Sequence, residues 1–164
     1  MATRNQYGRN ICIKKHCSNL RQINYSIKEL ENSIKYSIKT NSSIAITTYT
    51  NIHSFLTGAW IEVSLYKLVY EQQFNETDRR LILTNNSLSL EEKWKNTLNL
   101  SFSKAFGIDY TKFGISSDNV KSKLSRTQQY WFEDLHEFIE NDLNTVVKIR
   151  NKIAHGQWEF AFNT

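Results

Sequence analysis

Apolar residues recur along this chain at steps of three and four, the spacing that puts them on one side of a helix. Ile23, Ile27, Leu30, Ile34 and Ile38 predict a first amphipathic helix over about residues 18 to 39, with a lysine-rich face left to solvent. A longer helix is predicted over about residues 43 to 72. Ile52, Phe55, Leu56, Ala59, Val63 and Tyr66 form one stripe of it and Ile61, Leu65 and Leu68 another, so it is apolar on more than one side and belongs at the centre of the fold. Residues 77–83 read as a short helical turn. Ser89-Leu90-Glu91-Glu92 has the spacing of a capping box and opens a further helix in which Trp94, Leu98, Phe102 and Ala105 share a face until Gly107 ends it. Residues 107–118, with Gly107, Gly114, Ser116, Ser117 and Asp118, read as a loop. The last helix buries Phe132, Leu135, Ile139, Leu143, Val146 and Ile153, and Gly156 is placed to terminate it.

Composition agrees with an all-α bundle of four to five helices. Proline is absent from the 164 residues and glycine occurs five times, whereas average usage would give about eight prolines. The 40% hydrophobic content suffices for one domain with its own core. No run of 18 apolar residues and no charged segment leading into an apolar stretch points to a membrane or to secretion, so the cytoplasm is the expected compartment. Cys12, His16 and Cys17 are three potential metal ligands without a fourth nearby, too few for a structural zinc site, and the cysteines read as reduced thiols.

The net charge of +5 is unevenly placed: residues 1–40 carry eight basic side chains and two acidic ones, so the other 124 residues sum to −1. A basic N-terminal arm over about residues 1 to 17, continuing into the first helix, suits a phosphate-bearing partner; the alternative is that the lysines serve solubility.

Candidate chemistry is concentrated in Arg150-Asn151-Lys152-Ile153-Ala154-His155-Gly156. A guanidinium is permanently charged and can bridge two phosphate oxygens, while an imidazole exchanges a proton near neutrality; the two make a metal-free kit for phosphodiester cleavage. Both residues also have a structural reading, since bases near a helix C-terminus complement its dipole and five acids precede Lys148, Arg150 and Lys152 in this helix. Positions five apart differ by about 140° around a helix, so Arg150 and His155 diverge, whereas Asn151 and His155 share a face that continues back through Val147, Asn144 and Glu140. Glu62, flanked by Ile61 and Val63 in the apolar second helix, is a costly carboxylate unless paired, and Arg150 is a candidate partner; a solvated position is the alternative. His53 and His136 have no complementary nucleophile and read as structural or surface residues, and His16 belongs to the basic arm.

An arginine, four intervening residues beginning with a polar one, and a histidine resemble the signature of the HEPN superfamily (higher eukaryotes and prokaryotes nucleotide-binding domains), here Arg150, Asn151 and His155. The resemblance covers the motif and its helix; elsewhere it is one of helical pattern alone. It implies a small helical endoribonuclease of toxin–antitoxin or antiviral defence systems, without cofactor or metal, acting on RNA as a homodimer whose two motifs line one groove. It implies Arg150 and His155 as catalytic residues, with Asn151 and Glu62 on the substrate side, and an antitoxin or defence-system protein as a further partner. HEPN toxins silenced by a nucleotidyltransferase carry a tyrosine two residues after the histidine; Gln157 stands there, which argues against that regulation. The rival reading is a non-catalytic dimerisation or adaptor module in which the same residues are structural. A metal-dependent hydrolase lacks a cluster of His and carboxylates at ligand spacing. The aromatic alternation Trp158, Phe160, Phe162 runs to Thr164 without a polar terminus, as in a chain truncated there or continuing further.

Overall fold

With no proline to interrupt it, the N-terminal periodicity holds for 36 residues, and helix α1 runs unbroken from Arg4 to Lys39, about 54 Å. The computed structural model describes residues 4–84, 87–113 and 115–158, and these form an all-α fold with no strand among them. Gly114, Phe160 and Phe162 lie outside the described residues. Contacts group the chain into two compact units, Met1–Leu68 with Thr145–Thr164, and Val69–Asn144.

In the first unit Asn41 adopts a left-handed φ of 54°, which asparagine tolerates, and α2 (Ser43–Val69) returns antiparallel along α1. Glu31 lies 3.8 Å from His53, and His16 stacks on Tyr66 with ring centroids 5.8 Å apart. The basic segment is thus the first part of α1 rather than a separate arm, and His16 faces α2 rather than solvent; burial pushes its imidazole below the usual range. Ile23, Ile27, Leu30 and Ile34 are half-buried as the pattern predicts. Ile38 is not: it is 55% exposed, and Ser37 takes the inward position, its hydroxyl donating to the Ser33 carbonyl at 2.8 Å. Helix α2 is covered on more than one side, as its two apolar stripes predict, and between Asn51 and Val69 only Trp60 is exposed.

The second unit is built on α3 (Glu76–Leu83) and α4 (Leu90–Ala105), followed by two short helices, α5 (Tyr110–Phe113) and α6 (Ser117–Lys121), and then α7 (Arg126–Phe138). Ser89 and Glu92 form the expected capping box at α4. The inward face of α4 is rotated from the expected one: Thr97, Leu100 and Ser103 are buried and Ala105 is exposed. Hydroxyl groups can occupy such positions because each is satisfied locally, Thr97 by the Lys93 carbonyl at 2.7 Å and Ser103 by the Asn99 carbonyl at 2.8 Å. The stretch read as a loop over 107–118 instead contains α5 and the start of α6, whose first turn is capped by Ser116. Val120 and Leu124 then anchor a core with Phe132, against which Leu98, Phe102 and Ile108 pack.

Asp78 is fully buried, and three donors meet it. Its carboxylate accepts from the Asn75 backbone at 2.7 Å, the Tyr110 hydroxyl at 2.7 Å and Lys104 Nζ at 2.8 Å. Burial alone would push the acid up, but these donors together hold it below the usual carboxylate range.

Between α7 and the last helix, α8 (Asn144–Ala154), a single π-helical turn spans Ile139–Leu143, with the Asn144 N–H bonded to the Ile139 carbonyl. The wider turn alters the phase of the apolar stripe. Phe132, Ile139, Leu143 and Ile153 are buried as expected, Val147 takes the place expected of Val146, and Leu135 is 45% exposed.

Candidate functional site

Arg150 sits on the inward side of α8, three residues from Val147 and three from Ile153, which are 7% and 3% exposed. An arginine in that position needs a partner, and α2 is shaped to supply one. Its residues Asn51, Phe55, Gly58 and Glu62, at steps of four, three and four, present one face to α8 and to the chain that follows it. Gly58 lets the aliphatic part of Arg150 lie directly on the helix. The guanidinium then passes over Phe55, 5.9 Å from the ring centroid, and donates from Nη2 to Glu62 Oε2 at 2.7 Å and from Nη1 to Asn151 Oδ1 at 3.0 Å. Its Nε is buried and has no hydrogen-bond partner among the described residues. The ion pair is partly open to water, the two side chains being 29% and 32% exposed, so its worth lies more in orienting the guanidinium than in stability. Burial, and then the Glu62 charge, push the neighbouring Tyr66 phenol above its usual range.

His155 occupies the junction where the helix ends. Gly156 is left-handed at φ 79°, its N–H bonds to the Ile153 carbonyl at 3.0 Å, and Gln157 N–H bonds to the Lys152 carbonyl at 3.0 Å, which together close the last turn in a Schellman motif. The expectation that Gly156 terminates the helix is met. The backbone N–H of His155 bonds to the Asn151 carbonyl at 3.1 Å, while its exposed imidazole has no partner among the described residues. Asn51 fixes the chain beyond, donating to the Trp158 carbonyl at 3.2 Å. Beside the motif, Ile52, Phe55, Ile153, Ala154, Gly156 and Trp158 wall an apolar cavity of about 290 Å³.

Of the sequence-derived candidates, Arg150, Asn151 and Glu62 come together; the His155 side chain makes no hydrogen bond or ion pair with them. The polar face expected to run from His155 through Asn151 and Val147 to Asn144 and Glu140 is not continuous. Val147 is buried, and Glu140, within the π turn, is paired with Lys95 at 2.7 Å. His53 is half-buried on α2, 3.8 Å from Glu31. His136 is structural: its Nε2 lies 2.9 Å from Asn99 Oδ1, and burial, followed by the charge of Lys95, pushes its imidazole below the usual range. Cys12 and Cys17 are free thiols on α1, and among the described residues no group of three His, Cys, Asp or Glu side chains is placed to hold a metal ion. No described helix is long and apolar enough to cross a membrane.

Gly58 is the site residue that motif reading passes over. Its signal is a glycine inside an apolar helix, where it costs about 1 kcal/mol relative to alanine, four residues before the one acid of α2. A methyl group at position 58 would come within 2.6 Å of both Cβ and Cγ of Arg150, atoms too close to the α8 backbone to swing aside. Gly58→Ala is therefore expected to cost about 1–3 kcal/mol through overpacking, less the helix propensity regained, and to displace the guanidinium from Glu62. A misplacement of about 1 Å lowers the rate of a reaction needing that group by up to about 100-fold. Urea unfolding of the Gly58→Ala protein checks the first effect and its crystal structure the second; a more stable protein with the Arg150–Glu62 pair intact would contradict them.

Compared with models of known protein families, with curated proteins and with solved structures, the chain matches none.

Proposed function

We propose that this protein is a metal-independent endoribonuclease of the HEPN type, a toxin or antiviral-defence effector that cleaves RNA at a composite site formed by two copies of the motif. The observation that carries this reading is an oriented arginine, held by Glu62 and Asn151 with its guanidinium partly exposed, one turn before an exposed histidine whose imidazole is unengaged. In the reaction the ribose 2′-hydroxyl attacks the adjacent phosphorus and loses its proton to a base. The 5′-oxygen leaves and receives a proton, and the products are a 2′,3′-cyclic phosphate and a free 5′-hydroxyl. His155 exchanges the protons, Arg150 neutralises charge developing on the phosphoryl oxygens, Asn151 and Glu62 hold that arginine in place, and no metal takes part. Since the two side chains diverge within one protomer, pairing about a two-fold axis is the arrangement that lets an Arg150 and a His155 meet one phosphate. The apolar cavity beside Gly156 offers a wall for a neighbouring base. The cytoplasm is the compartment where such an effector meets its RNA.

The second reading, a HEPN-like dimerisation or adaptor module in a defence or toxin–antitoxin complex, is favoured by one specific observation, the 2.7 Å Arg150–Glu62 ion pair, which already occupies one edge of the guanidinium. Incubation with total RNA and a tRNA pool in excess EDTA separates the two. The nuclease cuts in chelator, and Arg150→Ala and His155→Ala proteins that remain folded and dimeric do not. Intact RNA in every lane, with the dimer preserved, favours the adaptor.

A further inference from the structure

The outer face of α1 carries a row of cations that packing does not require. Lys14, Arg21, Lys28 and Lys35 recur every seven residues and are all exposed. Successive members are about 10.5 Å apart along the axis and the four span about 31 Å, drifting by about 20° per heptad. Among the described residues none of the four is in an ion pair or a side-chain hydrogen bond. Several cations outside α1 behave differently: Arg79, Lys95, Lys104 and Lys121 each meet a carboxylate. Of the two acids of α1, Glu31 flanks the row, three residues after Lys28 and four before Lys35, and lies 3.8 Å from His53, while Glu29 is about 100° around the helix from Lys28. Between the cations lie Ser18, Tyr25 and Asn32, and Tyr25 and Tyr36 are 60% and 68% exposed. At the C-terminal end of the row, Asn32, Tyr36 and Tyr49, with Glu29 on one side, wall an open groove of about 450 Å³.

We propose that this face of α1 is a docking rail for the phosphodiester backbone of single-stranded RNA, with the exposed tyrosines as stacking surfaces for its bases. Charge selects a polyanion, and straightness selects a flexible one. A duplex strand completes a turn in about 34–36 Å and curves away from a straight helix, so only a short arc of it could follow a row about 31 Å long. A single strand can track the whole row. The inference extends the proposed function to how substrate is held, and it stands on an observation separate from the motif.

The test is fluorescence anisotropy with a labelled 20-nucleotide oligouridylate carrying 2′-O-methyl groups, which cannot be cleaved, at several salt concentrations. Replacing Lys14, Arg21, Lys28 and Lys35 together by Gln should lower the slope of log K against log salt by about 3, at about 0.7 per lost phosphate contact, and weaken binding more than tenfold at 0.1 M salt. Arg at the three lysine positions should preserve the slope. A control with Arg80, Lys93, Lys123 and Arg126 replaced by Gln removes the same charge from the second unit and should leave the slope nearly unchanged. Equal losses from the two Gln proteins, each folded by circular dichroism, would overturn the rail, as would tighter wild-type binding to a duplex of the same length. Cleavage of ordinary RNA with a slope indifferent to the row sinks the rail and leaves the nuclease standing; row-dependent binding without cleavage does the reverse.

Discussion

A one-to-one mixture of Arg150→Ala and His155→Ala proteins, allowed to exchange subunits, should cleave RNA although neither does alone. Loss of a general acid–base costs about 10²–10⁴ in rate, and loss of a charge-stabilising group about 10²–10³. Each homodimeric variant therefore falls near background. In a composite site, the arginine of one protomer works with the histidine of the other. A mixed dimer then holds one site lacking both groups and one site with both intact. Random exchange makes half the dimers mixed, so activity should recover to about a quarter of wild type, a rise of about one to three orders of magnitude over either variant. Native mass spectrometry confirms the exchange. If mixed dimers are present and activity stays at the level of the separate variants, Arg150 and His155 do not meet across a two-fold axis.

The second large effect concerns stability. Asp78→Ala should destabilise the protein by about 3–5 kcal/mol, because removing one member of a buried charged cluster strands the others, here Lys104 and the Tyr110 hydroxyl, and also breaks the cap of α3. Urea unfolding followed through Trp94 and Trp131, both in the second unit, measures it. The same carboxylate sets a pH dependence. Its pKa is lower folded than unfolded, so its stabilising contribution is complete above the unfolded value, about pH 4, and is lost as the pH falls through the lower folded one. Burial depresses His136 in the folded state, so the unfolded chain takes up that proton first and stability declines from about pH 6.5 downward. Both groups act in the same direction. Wild type should thus lose stability progressively on acidification, and the part below about pH 4 should be reduced in Asp78→Asn. An Asp78→Ala protein within 1 kcal/mol of wild type would show that the cluster is dispensable.

Helix content was legible because the periodicity is strong and nothing in the chain breaks it. The errors fall where a polar side chain satisfies itself within its own helix: Ser37, Thr97 and Ser103 take inward positions that a hydrophobic count assigns to Ile38 and the face of Ala105. The π turn was hidden for a related reason, since inserting one residue into a turn changes hydrogen bonding and phase without a characteristic residue type. Within the candidate site, the pairing of Arg150 with Glu62 could be anticipated from a carboxylate among apolar neighbours. The role of Gly58 could not, because close approach of two helices is a property of the pair and not of either sequence segment. The row on α1 was visible only as net charge; that its members share a face and lack partners required the extent of the helix and the exposure of each side chain.

The most direct measurement is cleavage, in excess EDTA, of a defined oligoribonucleotide and of the same oligonucleotide with a single 2′-deoxy residue at the cut position. The account predicts that the ribonucleotide is cut to a 2′,3′-cyclic phosphate and a 5′-hydroxyl, that the 2′-deoxy substrate resists, and that His155→Ala protein leaves both intact. Cleavage of both substrates, products bearing a 5′-phosphate, or no cleavage by folded, dimeric wild-type protein would contradict it.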